Sequence, residues 1–142
     1  MTNTRTWIGV MAAMGALALT CLSPAQLRAQ SPMSVNVPFD FYVGSQKLPS
    51  GTYAVKLFGD PAVLQVTDGN GHVSVALANG LYNRSVPNKP RLTFTRYGNQ
   101  YFLSEVHWAD STVSRQLMRS PQEIQIARSS KAEQITATTN NR

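Results

Sequence analysis

Hydrophobic and polar residues alternate along several segments of the chain, and the alternation is clearest between residues 35 and 43. A period of two predicts a strand with one buried face. Pro38 lies on the outward phase and has no backbone N–H to donate, which predicts a sheet edge or a bulge at that position. The inward phase carries Val35, Val37, Phe39, Phe41 and Val43.

A turn and a second strand follow this segment. Residues 48–51 read LPSG, in which proline presets the second turn position and glycine closes the turn. Tyr53, Val55 and Leu57 then recur at every second position, which predicts another half-buried strand. The sequence FGDP at residues 58–61 ends this strand, because glycine and proline interrupt a ladder.

The next predicted element is a hairpin that turns at residues 68–71 (DGNG), whose residue types tolerate the positive φ of tight hairpin turns. With the turn centred on residues 69–70, Leu64 lies opposite Val75. Centring the turn on residues 70–71 slides the register by two and leaves the same side chains inside. Both alternatives therefore predict that Val75 is buried.

A second hairpin is predicted after a proline-containing loop at residues 80–90. Its strands cover residues 91–97 and 100–108 and turn at the GN dipeptide between them, so that Phe94 lies opposite Leu103. Both faces of this strand pair are partly apolar. The pattern is typical of a pair in the centre of a sheet.

The C-terminal part predicts a strand, a helix and a tail. Residues 113–118 are compatible with a short strand, and residues 120–123 (SPQE) have the form of a capping box with proline at the first helical position. A helix over residues 121–135 is expected to follow, with Ile124 inward. Residues 136–142 are predicted to be disordered.

Six or seven strands with turns every 8–12 residues predict an all-β fold, either an antiparallel β-sandwich or a small barrel, with a short C-terminal helix. The predicted organisation is a signal peptide at residues 1–29, a single β-rich domain at residues 30–135 and a disordered tail at residues 136–142. The residues predicted to be mostly buried are Val35, Val37, Phe39, Phe41, Val55, Leu57, Leu64, Val66, Val75, Phe94, Phe102 and Leu103.

Residues 1–29 have the three parts of a signal peptide. Arg5 supplies a positive n-region, residues 7–22 form an uncharged apolar run, and Ala29 places the cleavage before Gln30. This prediction implies export to the periplasm or the extracellular space, with no membrane span in the mature chain. Two alternatives stay open, namely an uncleaved membrane anchor and a lipoprotein signal in which Cys21 carries the lipid.

Composition limits the classes of partner. Of 142 residues, 42% are hydrophobic and 14% are charged, which argues against intrinsic disorder. The net charge of +6 falls to +4 without Arg5 and Arg28, and the remaining basic residues are spread along the chain. A nucleic-acid partner is therefore not predicted, since it would require a clustered basic surface. Because Cys21 leaves with the signal, the mature domain is expected to have no disulfide.

Three stretches in this order resemble a family of small exported bacterial proteins of unknown function, mostly from soil bacteria. They are VPFDF at residues 37–41, LPSGTY at residues 48–53 and FTRYGNQYFL at residues 94–103. The resemblance covers residues 35 to about 128. It implies export and a β-fold, and it carries no activity or catalytic residues.

Catalytic and metal sites are not predicted. Asp110 lies three residues after His107, a spacing at which a carboxylate could orient an imidazole, but the chain has no G-x-S-x-G nucleophile elbow. The DGNG segment departs from the calcium-loop pattern at its later positions. Two histidines far apart in sequence, with no cysteine in the mature domain, do not predict zinc. No cofactor and no enzymatic activity are expected.

The candidate ligand-binding residues are Trp108, His107 and Tyr97. The rings of Trp108 and Tyr97 could stack on a sugar or bind a partner, and His107 is the candidate for a chemical role. The alternative is that Trp108 caps the core and the tyrosines cover strand ends. The predicted function is an exported, non-enzymatic binding or structural module of the cell envelope, with an unidentified envelope or extracellular partner. The second hypothesis is a carbohydrate-binding or hydrolytic domain that uses Trp108, His107 and Asp110.

Overall fold

The computed structural model of the protein describes residues 32–59 and 62–139. The predicted signal peptide with Cys21 lies outside the described residues, as do residues 140–142 of the predicted tail. Within the described ranges the chain forms ten strands and one short helix, which confirms the all-β prediction with more strands than the six or seven expected. One strand pairing, between residues 41–43 and 100–107, is parallel, so the sheet is mixed and not purely antiparallel. In this part of the chain no helix is long and apolar enough to cross a membrane.

The elements follow one another with short connections. They are β1 (Met33–Val37), β2 (Phe41–Val43), β3 (Gln46–Leu48), β4 (Gly51–Phe58), β5 (Val63–Asp68), β6 (Val73–Tyr82), β7 (Arg91–Tyr97), β8 (Gln100–His107), β9 (Val113–Leu117), α1 (Pro121–Ala127) and β10 (Ala132–Thr138).

Strand β6 joins two sheets. Its residues 73–77 pair with β5, and its residues 78–82 pair with β9. Sheet A has the order β1-β4-β5-β6, and sheet B contains the second half of β6, β9, β8, β7, β10, β2 and β3. The strand path has two ends, at β1 and β3, so the sheet is not closed. The fold is therefore sandwich-like, with the core between the two sheets.

The predicted strand over residues 35–43 is two strands in different sheets. β1 pairs with β4 in sheet A, whereas β2 pairs with β3 and β8 in sheet B. The chain crosses between the sheets at residues 38–40, where Pro38 cannot donate to a ladder. The alternation continues through the crossing because both inner faces point into one core, so that Val37 and Phe41 are both fully buried.

The hairpin between β5 and β6 differs from the prediction by one residue of register. Leu64 lies opposite Ala76, and Gln65 lies opposite Val75. The loop has three residues instead of two, and Gly71 takes a positive φ of 87° at its third position. Such a loop is a type I turn followed by a left-handed residue. The one-residue shift turns β6 over, and Val75 is 62% exposed rather than buried.

Asp68 stabilises the three-residue loop with its side chain. Its Oδ1 accepts from the backbone N–H groups of Asn70 and His72, both at 2.8 Å. Its own backbone N–H donates to the carbonyl of His72 at 3.0 Å. These bonds form an Asx turn that favours three residues between the strands over the two that the glycines alone suggested.

The hairpin between β7 and β8 confirms the prediction. Phe94 lies opposite Leu103 and Tyr97 opposite Gln100, with Gly98 at a φ of 61° in the two-residue turn. The register shifts by one between Thr93 and Phe94, which is the position of a bulge. β7 lies between β8 and β10, and residues on both of its faces are buried. The pair is therefore central, as its two apolar faces indicated.

The C-terminal prediction is partly wrong. Ser120 caps α1, and its Oγ accepts from the backbone N–H of Glu123 at 3.2 Å, which confirms the N-cap half of the predicted capping box. The helix ends at Ala127, however, and Ile124 is exposed. Residues 132–138, predicted as helix and disordered tail, form β10 and pair with β7 along its whole length. The edge of β7 offers seven residues of unpaired backbone, and that partner outweighs the weak local helix signal.

Two smaller differences from the prediction concern the end of β6 and the set of buried residues. β6 continues to Tyr82, three residues into the predicted loop, because β9 pairs with it there. Of the twelve residues predicted to be buried, nine are, Phe39 and Leu57 are partly buried, and Val75 is exposed. The largest fully buried side chains include Phe41, Tyr53, Phe94, Phe102, Leu64 and Leu92.

Candidate functional site

A groove of about 480 Å³ lies at one end of the sandwich, where β1 and β7 begin and β8 ends. We call it the Trp108 groove. It borders a second hollow of about 420 Å³ that shares four of its lining residues and adds the polar side chains of Ser34, Asn88, Lys89 and Thr139. The groove itself is lined by Pro32, Met33, Pro90, Trp108, Ala109, Asp110 and Ser111.

The loops that form the groove are tied together by backbone hydrogen bonds. The N–H of Asp110 donates to the carbonyl of Pro87 at 3.0 Å, which joins the segment after β8 to the loop before β7. Asp110 has a φ of 56°, a left-handed conformation that aspartate tolerates better than most residues. The N–H of Thr139 donates to the carbonyl of Pro90 at 3.3 Å. The groove is therefore largely preformed.

Trp108 is part of the core as well as of the groove wall. Its side chain is packed in the main hydrophobic cluster, and the residue is only 8% exposed. Its indole N–H is buried and has no hydrogen-bond partner among the described residues. Most of the Trp108 surface is therefore in contact with the core, as expected if this residue caps it. Only a small part of the residue is available to a ligand.

His107 points to the opposite face of sheet B, because successive residues of a strand alternate. It is 4% exposed, and its Nε2 lies 2.9 Å from Oε2 of Glu105. Asp110, which the sequence spacing suggested as its partner, is an exposed residue at the groove. The structure therefore does not bring His107 into the Trp108 groove, and its carboxylate partner is two residues before it instead of three after.

Tyr97, the third candidate, is also on the outer face of sheet B. It is buried near α1, with its ring edge-on to Phe102 at a centroid distance of 6.0 Å. Burial raises the pKa of Tyr97, and the nearby carboxylate of Glu123 raises it further. Tyr97 therefore supports the packing of α1 and is not among the residues that line the groove.

A small polar cavity of about 70 Å³ lies beneath α1. Glu123 points into it as the one buried residue of the helix, and the residue is 5% exposed. Its Oε1 has no hydrogen-bond donor among the described residues, and the nearest cation, Nε of Arg119, is 3.8 Å away. The other side chains around the cavity are Thr95, Ser104, Glu105, Gln116, Leu117 and Gln134.

Burial raises the pKa of Glu123, while Arg119 and the hydroxyl of Tyr97 act in the opposite direction. The sequence identified Glu123 only as the capping-box glutamate, at the third position of the helix. A glutamate at that position usually faces solvent or the helix N-terminus, so the pattern contained no signal for its burial.

The arrangement separates the candidate residues into two places. Trp108 and Asp110 line the groove, whereas His107, Tyr97, Glu105 and Glu123 lie on the other face of sheet B. Among residues 32–59 and 62–139, no three histidine, cysteine, aspartate or glutamate side chains are grouped as metal ligands would be. The groove offers apolar contacts and the exposed carboxylate of Asp110, which suit binding rather than proton transfer by His107. The hydroxyl of Ser111 already donates to the carbonyl of Val113 at 2.9 Å and accepts from the N–H of the same residue at 3.1 Å.

No known protein family, curated protein or solved structure matches the chain.

Proposed function

We propose that the chain is an exported, non-enzymatic binding module of the cell envelope, and that the Trp108 groove is its ligand site. The observation that carries this proposal is the groove itself, a concavity of about 480 Å³ at the loop end of the sandwich. Ligand pockets are typically concavities of this size, with mostly apolar walls and a few fixed polar groups.

Several properties of the groove support a role in binding. Its walls belong to loops, which carry binding residues in many sandwich domains because the sheets hold them in place. The hydrogen bonds of Asp110 and Thr139 preorganise those loops, which lowers the entropy that binding costs. Asp110 places an exposed carboxylate beside the apolar wall of Pro90 and Met33.

The non-enzymatic part of the proposal rests on the position of His107. A general base must come within about 3 Å of the proton that it takes. His107 is buried on the face of sheet B opposite to Trp108, and its Nε2 is engaged with Glu105. A ligand in the groove therefore has no imidazole beside it.

Export rests on the sequence of residues 1–29 and on the resemblance to small exported bacterial proteins. The described domain is compatible with an oxidising compartment, since Cys21 is the one cysteine of the chain and lies in the predicted signal.

A carbohydrate ligand is the second candidate, and one observation favours it. Trp108, Asp110 and Ser111 line the same groove, and an aromatic ring beside hydrogen-bonding groups is a common way of holding a sugar. The small exposed fraction of Trp108 leaves only part of the residue for such stacking, so we place this candidate second.

Trp108 supplies the probe for testing both candidates. The chain has two tryptophans, and Trp7 lies in the predicted signal peptide, so Trp108 is the single tryptophan of the expected exported product. We expect its fluorescence to change when the protein is titrated with the soluble envelope component that occupies the groove. Peptidoglycan fragments, envelope polysaccharides and envelope proteins are titrated separately, which distinguishes a sugar ligand from a protein.

Ala109→Phe is the blocking variant, because Ala109 lines both hollows of the groove. It is expected to weaken binding at least about tenfold, equivalent to about 1.4 kcal/mol. Ser45→Phe, in the exposed turn between β2 and β3, is the matched control and should bind as the wild type does. Binding that is insensitive to Ala109→Phe would show that the ligand site is elsewhere.

His107→Ala separates a module from an enzyme. This variant should keep its ligand affinity, apart from any loss that a thermal melt traces to unfolding. A hydrolytic activity that His107→Ala abolishes while the melting temperature is unchanged would refute the non-enzymatic proposal.

A further inference from the structure

The outer face of sheet A carries an apolar surface that no described element covers. Its exposed large side chains, each between 48% and 62% exposed, are Phe58, Val73, Val75, Leu77 and Met118. Val63 is partly buried and lies between Phe58 and Leu77 in the strand register. These six residues are here named the β6 face.

The side chains of the β6 face form a continuous row and a neighbouring column. Phe58 lies opposite Val63, and Val63 lies opposite Leu77. The N–H of Met118 donates to the carbonyl of Leu77 at 3.2 Å, which extends the row beyond β6. Opposite residues of antiparallel strands have Cβ atoms about 5 Å apart, so these side chains are in lateral contact range. Val75 and Val73 continue the surface along β6.

Gln65 and Thr67, the two uncharged polar side chains that lie opposite the valines of this surface, are hydrogen-bonded to each other. Gln65 lies opposite Val75, and Thr67 lies opposite Val73. Nε2 of Gln65 donates to Oγ1 of Thr67 at 3.2 Å. Covering the face would therefore leave fewer polar groups without a partner, which is the main cost of burying an amide or a hydroxyl.

We propose that a second copy of the chain packs on the β6 face and forms a twofold-symmetric dimer. Five large side chains that are about half exposed leave on the order of 500 Å² of mainly apolar surface. Together with the flanking residues of β4 and β5, the face approaches the roughly 800 Å² per partner of a stable interface. In a twofold interface the same patch meets itself, and Val75 lies near its centre.

Charge favours a second copy over other occupants. Lys56, opposite Gln65, is the one charged residue in the three rows that cross β4, β5 and β6. A strongly acidic partner would find this single lysine in the three rows, and a strongly basic partner would find no carboxylate there. A membrane surface is typically bound through several basic residues with aromatic side chains at the headgroup level, and the face has one lysine and one phenylalanine. The β6 face of a second copy is an apolar surface that complements this one. In such a dimer the ammonium group of Lys56 can reach solvent at the rim of the interface.

Sedimentation velocity tests the dimer on the exported product of the full chain, over about 1 to 500 µM. We expect a concentration-dependent dimer with a micromolar dissociation constant. Val75→Asp should raise that constant at least about tenfold, because it would bury two carboxylates without partners. Val86→Asp is the matched control, since Val86 is 51% exposed in the loop between β6 and β7, and it should leave the constant unchanged.

Folding is checked separately from assembly. Val75 is exposed in the single chain, so Val75→Asp should melt as the wild type does at concentrations where both are monomeric. If that variant fails to fold, Leu77→Ser serves in its place with the same expectation. A protein that stays monomeric throughout, a dimer that resists both substitutions, or a monomer that binds lipid vesicles through this face would each overturn the proposal.

Discussion

Gly71 takes the backbone conformation that decides which face of β6 is buried. Its φ of 87° lies in the left-handed region, where a Cβ is strained even though there is free space around this residue. Gly69 stands two residues earlier in the same loop and also has free space, without a positive φ. The two glycines therefore have similarly open surroundings, but only Gly71 takes a backbone conformation that strains other residues.

Gly71→Ala is expected to lower the free energy of unfolding by about 1 kcal/mol, because alanine is strained at this φ. Gly69→Ala is the control and should be neutral or slightly stabilising, since it reduces the freedom of the unfolded chain without strain. Denaturant unfolding of the two variants measures the difference. Equal losses would contradict the three-residue loop.

Glu123 links stability to pH. Burial raises its pKa in the folded protein above the ordinary value of 4.5. A raised carboxyl pKa contributes stability that is fully present below the unfolded pKa and is lost as the pH rises through the folded pKa. The folded protein therefore binds this proton more tightly than the unfolded chain does, in the mildly acidic range just above pH 4.5.

Glu123→Gln should flatten the dependence of the unfolding free energy on pH in that range, because glutamine does not titrate. At neutral pH it should be at least as stable as the wild type, since it removes a buried charge. Thermal melts between about pH 4 and 7 measure the slope. Glu133→Gln is the control, because Glu133 is exposed and pairs with Arg96 at 3.6 Å. An unchanged slope in Glu123→Gln would show that Glu123 titrates as a solvated residue.

Among the secondary-structure elements, the alternating segment at residues 35–43 is divided into β1 and β2, which belong to different sheets. The crossing at residues 38–40 places Phe41 between the sheets, against the rings of Tyr53 at 5.0 Å and Phe94 at 5.3 Å. Phe39 lies nearer the surface and stacks on Tyr101 at 4.1 Å. Residues of similar character in the same segment thus have different environments.

Phe41→Ala should lower the free energy of unfolding by about 3–5 kcal/mol, because it removes a fully buried ring and leaves a cavity. Phe39→Ala should cost less, since Phe39 is partly exposed. At concentrations where the protein is monomeric, the same truncation at the exposed Phe58 is the control and should cost below about 1 kcal/mol. Equilibrium denaturation ranks the three variants. A loss below about 1 kcal/mol for Phe41→Ala would mean that β2 is peripheral.

At the scale of the whole molecule, the two sheets present different surfaces. One end of the sandwich carries the Trp108 groove, α1 packs on a small part of the outer face of sheet B through Glu123, and no described element covers the β6 face. The two proposals, ligand binding in the groove and self-association through the β6 face, thus concern separate surfaces. Ala109→Phe and Val75→Asp should therefore have independent effects.

The mature N-terminus is expected to be Gln30. Pro32 and Met33 line the Trp108 groove, so cleavage at this position would leave the new N-terminus two residues from the groove wall. Intact-mass measurement of the exported product decides the cleavage site. A product that retains residues 1–29, or one that begins at a lipidated Cys21, would contradict this prediction.

The sequence by itself determined the properties that depend on near neighbours. The β alternation, the GN turn with its register from Phe94 to Leu103, and the SPQE cap at α1 were all predicted. Each is a matter of residues a few positions apart, because backbone φ preferences and side-chain caps act within one turn. The same local logic predicted nine of the twelve buried positions fully.

The tertiary structure alone decided the features that depend on distant partners. Residues 132–138, predicted as helix and tail, form β10 because they pair with the otherwise unpaired edge of β7. The Asp68 side chain favours a loop of three residues. The one additional loop residue shifts the register of β6, which exposes Val75 and forms the β6 face. Sheet alternation separated His107 from Trp108, and the packing of α1 on sheet B buried Glu123. In each case the outcome depends on which backbone edge, sheet face or buried surface meets the residue in three dimensions, and spacing along the chain does not carry that information.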